Sequence, residues 1–305
     1  MKQAQYKKTW LITSIVARDI IKMHPGSRLP TIQDYTERLH SSRGLVQNAL
    51  SVLQEKNAIT LEKRGAMGTF ITSMDPVALF RLGNLDLITG SMPAPLSYYY
   101  AGLATGICQA MEACPVPFNF AFVQGAETRV NALRRGIYDF IILSLASARH
   151  HSALYPELTI AATLDGCRYA PPYTLYINRP GVKDISDGFS IAVDPNSTDQ
   201  WQLTGRLCAG KDVRIVAHPY VATRAAFLAG EVDCVVWRDE GFEEGYPHIT
   251  KVPIELADTT LECPVILTNI NNHSIKDILL LYLNASSIAK TQNDVLEKRM
   301  EPAFF

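Results

Sequence analysis

The pattern that most restricts the fold is a ten-residue unit that occurs twice, as LRRGIYDFII at 133–142 and as FLAGEVDCVV at 227–236. Each copy reads as a helix end, a glycine, a two-residue turn, an aspartate and an apolar strand. Glycine suits the position directly after the helix because it adopts the left-handed conformation that ends many helices. Since the sequence around each copy is also duplicated, the pattern predicts two α/β lobes of related design. Such lobes usually enclose a ligand between them.

Strand-like and helix-like segments also alternate ahead of the first copy. The pattern predicts strands over 85–88, 118–123 and 140–143 and helices over 98–113 and 127–135. The strands are nearly continuous apolar runs, which are typical of a parallel sheet covered on both faces.

The first 75 residues differ in charge from the rest of the chain. They carry 11 Lys and Arg against 6 Asp and Glu, whereas the remainder carries 18 against 24. Apolar residues recur at helical spacing in three successive segments, and two strand-like runs follow on either side of the basic turn KRGAMG. Three short helices and a basic hairpin predict a winged helix-turn-helix, and the basic charge favours a nucleic-acid partner.

The third helix carries the clearest functional pattern. Its apolar residues Val46, Ala49, Leu50 and Leu53 share one face, a serine precedes it, and two polar residues four apart occupy the outer face. In a helix-turn-helix, the N-terminal end of this helix enters the major groove, where arginine can bind guanine and glutamine can bind adenine. The predicted DNA-binding residues are Arg28, Thr31, Ser42, Arg43, Gln47, Lys63 and Arg64.

The same stretch resembles the GntR class of bacterial transcription factors. The resemblance lies in PGSRLPTIQDYTERLHSSRGLVQNALSVLQEKNAI and the later GTFI, with matching spacing from the proline before the second helix to the wing. It implies DNA binding. The sequence departs from that pattern at Ile32, Gln33, Gln47 and Met67, which implies fewer charge-assisted contacts to DNA than in the family. A winged helix that binds another protein instead of DNA is the alternative.

The body of the chain resembles the type 2 periplasmic-binding-protein fold, which many cytosolic regulators use as an effector domain. The repeated helix–Gly-x-x-Asp–strand unit and the segment DPNST before a helix carry this resemblance. With LITGSMPAPLSYYYAGLATGI opening the first lobe, the whole chain looks most like the YhfZ family of regulators. The expected fold is therefore multi-domain, with an all-α, winged helix-turn-helix N-terminal domain and a two-lobed α/β, periplasmic-binding-protein-like C-terminal domain.

The predicted boundaries follow from these patterns. The winged helix takes residues 1–73, a linker takes 74–83, and the effector domain takes 84–305. Within that domain the first lobe comprises about 84–170 and 248–305, and the second lobe comprises about 171–247.

The predicted effector site lies at the carboxyl ends of the strands, where open α/β sheets bind ligands. Its residues are Ser91, Met92, Gln124, Ser144, Asn196, Ser197, Thr198, Tyr220, Trp237 and Arg238. Side-chain oxygens and free N–H groups before a helix suit a carboxylate or phosphate, and an arginine can add a bidentate clamp. The alternatives are structural: helix capping for the serines, asparagine and threonine, core packing for the tryptophan, and ion pairing of Arg238 with Asp239 or Glu240.

The sequence favours a regulator over an enzyme. It holds none of the common nucleophile, zinc or phosphate-loop motifs, so we expect no catalytic residue, no metal and no cofactor. The alternatives are an enzyme on the two-lobed fold that uses the winged helix for interaction, and a solute-binding protein for transport. Six scattered cysteines and the lack of an export signal indicate reduced thiols in the cytoplasm. We expect as partners a double-stranded DNA operator, a small-molecule effector and a second copy in a homodimer, and no membrane.

Overall fold

The computed structural model describes residues 2–85, 87–238, 246–255 and 259–304, and for residues 2–7 and Val221 it describes the backbone alone. No helix in these ranges is both long and apolar enough to cross a membrane. The chain forms two compact units and passes from one to the other five times, after residues 88, 111, 119, 269 and 282.

The first unit comprises Met1–Ile88, Glu112–Asn119 and Ile270–Tyr282. Its elements are α1 (Lys2–Ile20), α2 (Ile32–Arg38), α3 (Arg43–Glu55), β1 (Ile59–Lys63), β2 (Thr69–Met74), α4 (Pro76–Leu82) and α10 (His273–Tyr282). The three helices and the antiparallel β1–β2 hairpin are those that the sequence predicts for a winged helix.

Local sequence explains how the helices of this unit begin. The segment TIQD at 31–34 predicts a capping box, and Thr31 and Asp34 form it: each side chain accepts a hydrogen bond from the backbone N–H of the other residue. Ser42 caps α3, and the predicted inner face of α3 is buried. Asp75 caps α4, which occupies most of the segment that the sequence assigns to a linker. Near the end of the chain, the Ser274 hydroxyl donates a buried hydrogen bond to the carbonyl of Ile21.

The second unit comprises Thr89–Met111, Phe120–Asn269 and Leu283–Phe305 and contains two five-stranded sheets. The first lobe orders its strands β4-β3-β5-β12-β6, and the second lobe orders them β11-β7-β10-β8-β9. The strands of the first lobe are β3 (Ile88–Met92), β4 (Phe118–Phe122), β5 (Phe140–Ser144), β6 (Leu158–Thr163) and β12 (Pro264–Asn269). Those of the second lobe are β7 (Tyr173–Ile177), β8 (Ser190–Val193), β9 (Arg214–Ala217), β10 (Cys234–Arg238) and β11 (Thr250–Pro253). The helices are α5 (Tyr98–Glu112), α6 (Ala126–Arg134), α7 (Leu145–Leu154), α8 (Thr198–Leu207), α9 (Tyr220–Leu228) and α11 (Ala285–Leu296).

Both sheets are mixed, so the expectation of a parallel sheet is only partly right. Pairing is parallel for β3–β5, β8–β9 and β8–β10, whereas β12 and β7 run antiparallel to their neighbours. The chain returns from the second lobe to form β12, which lies as an antiparallel strand inside the first sheet, and the sequence pattern did not predict this direction.

The duplicated unit has the same structure in both lobes. Gly136 and Gly230 both have positive φ, +71° and +75°. The carboxylate of Asp139 accepts hydrogen bonds from the N–H and hydroxyl of Thr89, at 2.8 and 3.0 Å. Asp233 accepts the same two bonds from Ser190, both at 2.8 Å. Each aspartate therefore joins the start of one parallel strand to the start of its neighbour, which confirms that the two copies are equivalent.

The segment around Gly90 differs from the prediction. We expected a strand over 85–88 and a ligand-binding loop at Gly90–Met92, but β3 spans Ile88–Met92. Ser91 and Met92 are therefore buried inside the first sheet. Glycine is required at position 90 because a Cβ there would lie 2.4 Å from the ring of Phe140.

Candidate functional sites

The first candidate site is a groove in the first unit, between the start of α2, the outer face of α3 and the hairpin. Its volume is about 600 Å³. Its wall consists of Leu29, Pro30, Thr31, Ile32, Gln33, Arg43, Gln47, Leu50, Ser51, Gln54, Leu61, Lys63, Gly68 and Thr69. Arg43 and Lys63 give this wall two positive charges, and it contains no acidic residue.

The predicted DNA-binding residues fall into two groups. Thr31, Arg43, Gln47 and Lys63 line the groove, and Arg43 and Gln47 are exposed on the outer face of α3. Ser42 lies just outside it as the cap of α3, where its oxygen accepts from the N–H of Leu45 at 3.4 Å. The arrangement therefore presents one amide, two cations and a helix N-terminus to the same side of the unit.

The remaining two arginines lie at the hairpin. Arg64 donates two hydrogen bonds to the carboxylate of Glu62, at 2.7 and 2.9 Å, and its guanidinium lies 4.6 Å from the ring centroid of Phe70. The exposed Arg28 pairs with Phe70 in an isolated β-bridge, and its side chain lies against Gly68. Arg64 is therefore partly neutralised within the hairpin, whereas Arg43 has no such acidic neighbour on α3.

The second candidate site is a cleft between the two lobes of the second unit. It encloses a cavity of about 60 Å³. Its wall consists of Pro93, Tyr100, Gln124, Gly125, Ala126, Arg129, Ser147, Tyr169, Tyr173, Asp194, Ser197, Thr198, Asp199, Gln200, Tyr220, Val236, Trp237 and Arg238. Five of these side chains are aromatic, and four are charged.

Direct hydrogen bonds join the lobes across this cleft. The Ser144 hydroxyl donates to Asp199 at 2.7 Å, and Nε2 of His151 lies 2.9 Å from the Thr198 hydroxyl. The N–H of Glu127 donates to the carbonyl of Asn196 at 3.3 Å. The cleft is therefore closed in this structure.

Arg238 is buried in the cleft and is already neutralised. Its guanidinium donates to the Asp199 carboxylate at 3.3 Å and to the carbonyl of Pro171 at 3.0 Å. The same group lies 4.1 Å from the ring centroid of Tyr173. Burial raises the pKa of Asp199, and the charge of Arg238 and the hydrogen bond from Ser144 partly offset that effect.

The structure brings together six of the ten residues predicted for the effector site. Gln124, Ser197, Thr198, Tyr220, Trp237 and Arg238 line the cavity. Tyr220 and Trp237 stack there, with ring centroids 4.4 Å apart. Ser144 and Asn196 join the lobes beside the cavity, whereas Ser91 and Met92 lie within the first sheet.

Sequence reasoning missed several buried polar residues of this cleft, among them Arg129, Asp199 and Tyr169. Arg129 lies on α6, Asp199 lies in the first turn of α8, and Tyr169 lies between β6 and β7. Asp199 directly follows the predicted Asn196–Thr198 cap, so the position next to the cap carried a usable signal. The sequence gives no comparable signal for Arg129, because arginines on helices are mostly exposed to solvent.

One group in the cleft makes stability depend on pH. Burial lowers the pKa of His151 to about 4, while Glu127 opposes this shift and the charges of His150 and Arg129 add to it. Because an unfolded histidine titrates near pH 6.5, the unfolded state alone binds the proton between about pH 6.5 and 4. The free energy of unfolding should therefore fall by about 1–2 kcal/mol between pH 7 and 5, as urea denaturation would measure.

The variant His151→Gln should remove that fall, and the neighbouring His150→Gln, which changes an exposed ring, is its matched control. An equal pH dependence in the His151→Gln variant and the wild type would contradict this assignment.

Family comparisons agree with this architecture. Residues 24–71 match the family described as a helix-turn-helix domain, and residues 75–304 match the one described as the YhfZ C-terminal domain. The YhfZ protein of Escherichia coli (strain K12) is 26% identical over 311 residues, which cover the whole of both chains. The crystal structure of YhfZ from Shigella flexneri matches with a TM-score of 0.63 at 24% identity, over 75% of this chain and 98% of that one.

More distant structures share the two-lobed fold. An ancestral arginine-binding protein bound to arginine matches with a TM-score of 0.52 at 14% identity, over 70% of this chain and 97% of its own. The periplasmic aliphatic sulphonate binding protein SsuA from Escherichia coli matches with a TM-score of 0.51 at 14% identity, over 70% and 71%.

These comparisons and the fold define a helix-turn-helix protein with a two-lobed α/β domain of the periplasmic-binding-protein fold. The chain belongs to the YhfZ C-terminal domain family. The expectation drawn from the sequence is confirmed for both domains, while the assignment of the first domain to the GntR class stays a prediction.

Proposed function

We propose that this protein is a cytoplasmic transcription regulator that binds double-stranded DNA through its first unit and a small metabolite through the cleft of its second. The groove beside α3 carries the proposal, because it combines Arg43, Gln47 and Lys63 with no acidic side chain. A wall of this composition attracts a polyanion and carries groups that read base edges.

The residues of the groove have distinct roles in this proposal. Arg43 and Gln47, one turn apart on the exposed face of α3, contact base edges in the major groove. Lys63 on the hairpin contacts phosphate. The N–H groups at the start of α3, next to Ser42, favour a second phosphate. Arg28 and Arg64 supplement these contacts from the hairpin side.

The proposed effector is a small molecule, and we favour an anionic one. The aromatic wall of the cleft and its buried arginine Arg129, which has no ion-pair partner among the described residues, support this choice. Binding would favour the closed lobes, and the shift in population would change the spacing of two DNA-binding heads in a homodimer. The chain crosses between its two units five times. Closure of the lobes could therefore act on the first unit through several covalent connections.

The experiment is a fluorescence-anisotropy titration of the full chain with DNA from upstream of its own operon, at stated salt. The double variant Arg43→Ala/Gln47→Ala should weaken binding at least about 30-fold, since each bidentate base contact contributes about 1–3 kcal/mol. The variant Lys63→Ala should also reduce the salt slope by about one, as loss of a phosphate contact does.

The matched control for the double variant is Lys56→Ala, which removes an exposed cation at the other end of α3. It should change affinity less than threefold. Equal affinities for wild type, double variant and control would contradict DNA recognition by this face.

A further inference from the structure

Arg129 is a buried cation without a partnering carboxylate. The side chain is 2% exposed. It donates to the carbonyl of Val123 at 2.7 Å and to the Tyr169 hydroxyl at 3.2 Å, and its Nε has no hydrogen-bond partner. Among the residues that the structure describes, no acidic oxygen lies within 4.0 Å of this guanidinium. A buried charge in this condition is costly unless an anion completes its surroundings.

The other charges in the cavity wall are matched locally. Arg238 pairs with Asp199 at 3.3 Å. Asp194 accepts a hydrogen bond from the N–H of Asn196 at 2.9 Å and precedes the N-terminus of α8, where a negative charge is favoured. Asp199 also interacts electrostatically with Arg129, but the two side chains do not form an ion pair. Arg129 is therefore the cation in this wall with capacity left for a further anion.

A second polar atom of the same wall is also unsatisfied. The hydroxyl of Ser147, in a residue 2% exposed, has no hydrogen-bond partner. Ser147 lies on α7 and Arg129 on α6, and both belong to the first lobe and line the same cavity. Buried polar groups are rarely left unpaired, so two in one small cavity indicate a missing polar ligand.

The cavity limits the size of that ligand. Its volume of about 60 Å³ would hold roughly two to four water molecules, or a solute of about five non-hydrogen atoms, while the lobes are closed. The aromatic side chains of Tyr100, Tyr169 and Trp237 also line the cavity.

We infer that the closed cleft binds a small monocarboxylate, with Arg129 Nε and the Ser147 hydroxyl donating to its oxygens. This inference rests on the proposed small-molecule role of the cleft and assigns the ligand class. It also moves the anion-binding cation from Arg238, which the sequence indicated, to a residue of the other lobe.

The experiment compares carboxylates with a neutral molecule of the same shape. Acetate, glycolate and glycine, and acetamide as the neutral analogue, are titrated into the full chain by isothermal calorimetry at constant ionic strength. At least one carboxylate should bind at least tenfold more tightly than acetamide. Arg129→Gln should reduce its affinity at least tenfold, and Arg135→Gln, which removes an exposed cation just after α6, should leave it unchanged.

Several outcomes would overturn the inference. If acetamide binds as tightly as the best of the three carboxylates, the charge argument fails, and binding by none of the three would remove the ligand class. If Arg129→Gln does not fold, two measurements still test the inference: the wild-type comparison of the best carboxylate with acetamide, and the affinity of Ser147→Ala for that carboxylate, which should be at least threefold weaker. DNA binding is measured separately without carboxylate, so its failure would overturn the regulator proposal and leave this result standing.

Discussion

The variant Asp199→Ala should lose about 3–5 kcal/mol of unfolding free energy in the second unit. The substitution leaves the guanidinium of Arg238 buried beside Tyr173 and removes the carboxylate that neutralises it. It also removes the acceptor of the hydrogen bond from Ser144 that joins the lobes. Breaking one side of a buried pair is costly because the remaining charge stays out of water without compensation. Urea denaturation followed by near-ultraviolet circular dichroism measures the loss.

Two further variants test the cause of this loss. Glu157→Ala breaks the much more exposed ion pair with Arg134 in the same unit and should cost no more than about 1 kcal/mol. The double variant Asp199→Leu/Arg238→Met removes both charges and should recover most of the loss of Asp199→Ala. A double variant as unstable as Asp199→Ala would show that packing, rather than the uncompensated charge, sets the cost.

The first unit follows closely from its sequence because its signals are local. A capping box, an N-cap serine and an amphipathic face each involve residues within one helical turn or two, and all three appear as expected at α2 and α3. The repeated Gly-x-x-Asp unit is equally local, and its aspartates make equivalent bonds in both lobes. The order of strands in the sheets was harder to predict from the sequence. The antiparallel strand β12 joins the first sheet, although it follows all the strands of the second sheet in the sequence.

The pairing of charges in the cleft could not be predicted from local sequence patterns. Arg238 has the sequence context of an anion clamp, yet Asp199, 39 positions earlier, supplies its counter-charge. In sequence, Arg129 resembles any other arginine on a helix, yet in the structure its side chain is buried in the wall of the cleft. Both outcomes depend on contacts between distant segments, which periodicity does not report. The order of elements predicted the cleft, whereas the balance of charge inside it required the three-dimensional structure.

The variant Gly90→Ala should destabilise the first lobe by about 2–3 kcal/mol. The added Cβ would lie 2.4 Å from Cζ of Phe140 and 2.9 Å from the ring of Phe120. Phe140 is fully buried, so its ring can move only by disturbing the sheet core. Because Gly90 pairs with Phe140 in the parallel ladder, the strain would fall at the centre of the β3–β5 pairing. Thermal unfolding of the full chain measures the effect.

Gly205→Ala is the matched control, since a Cβ at position 205 meets nothing within 4 Å. Gly205 lies inside α8, where alanine is the better helix former, so this variant should gain about 0.5–1 kcal/mol. The two glycine-to-alanine changes should thus have opposite signs within one unit. A Gly90→Ala protein as stable as the wild type would mean that the ring of Phe140 has room to turn aside. The glycine in the predicted ligand loop would then not be explained by strand packing.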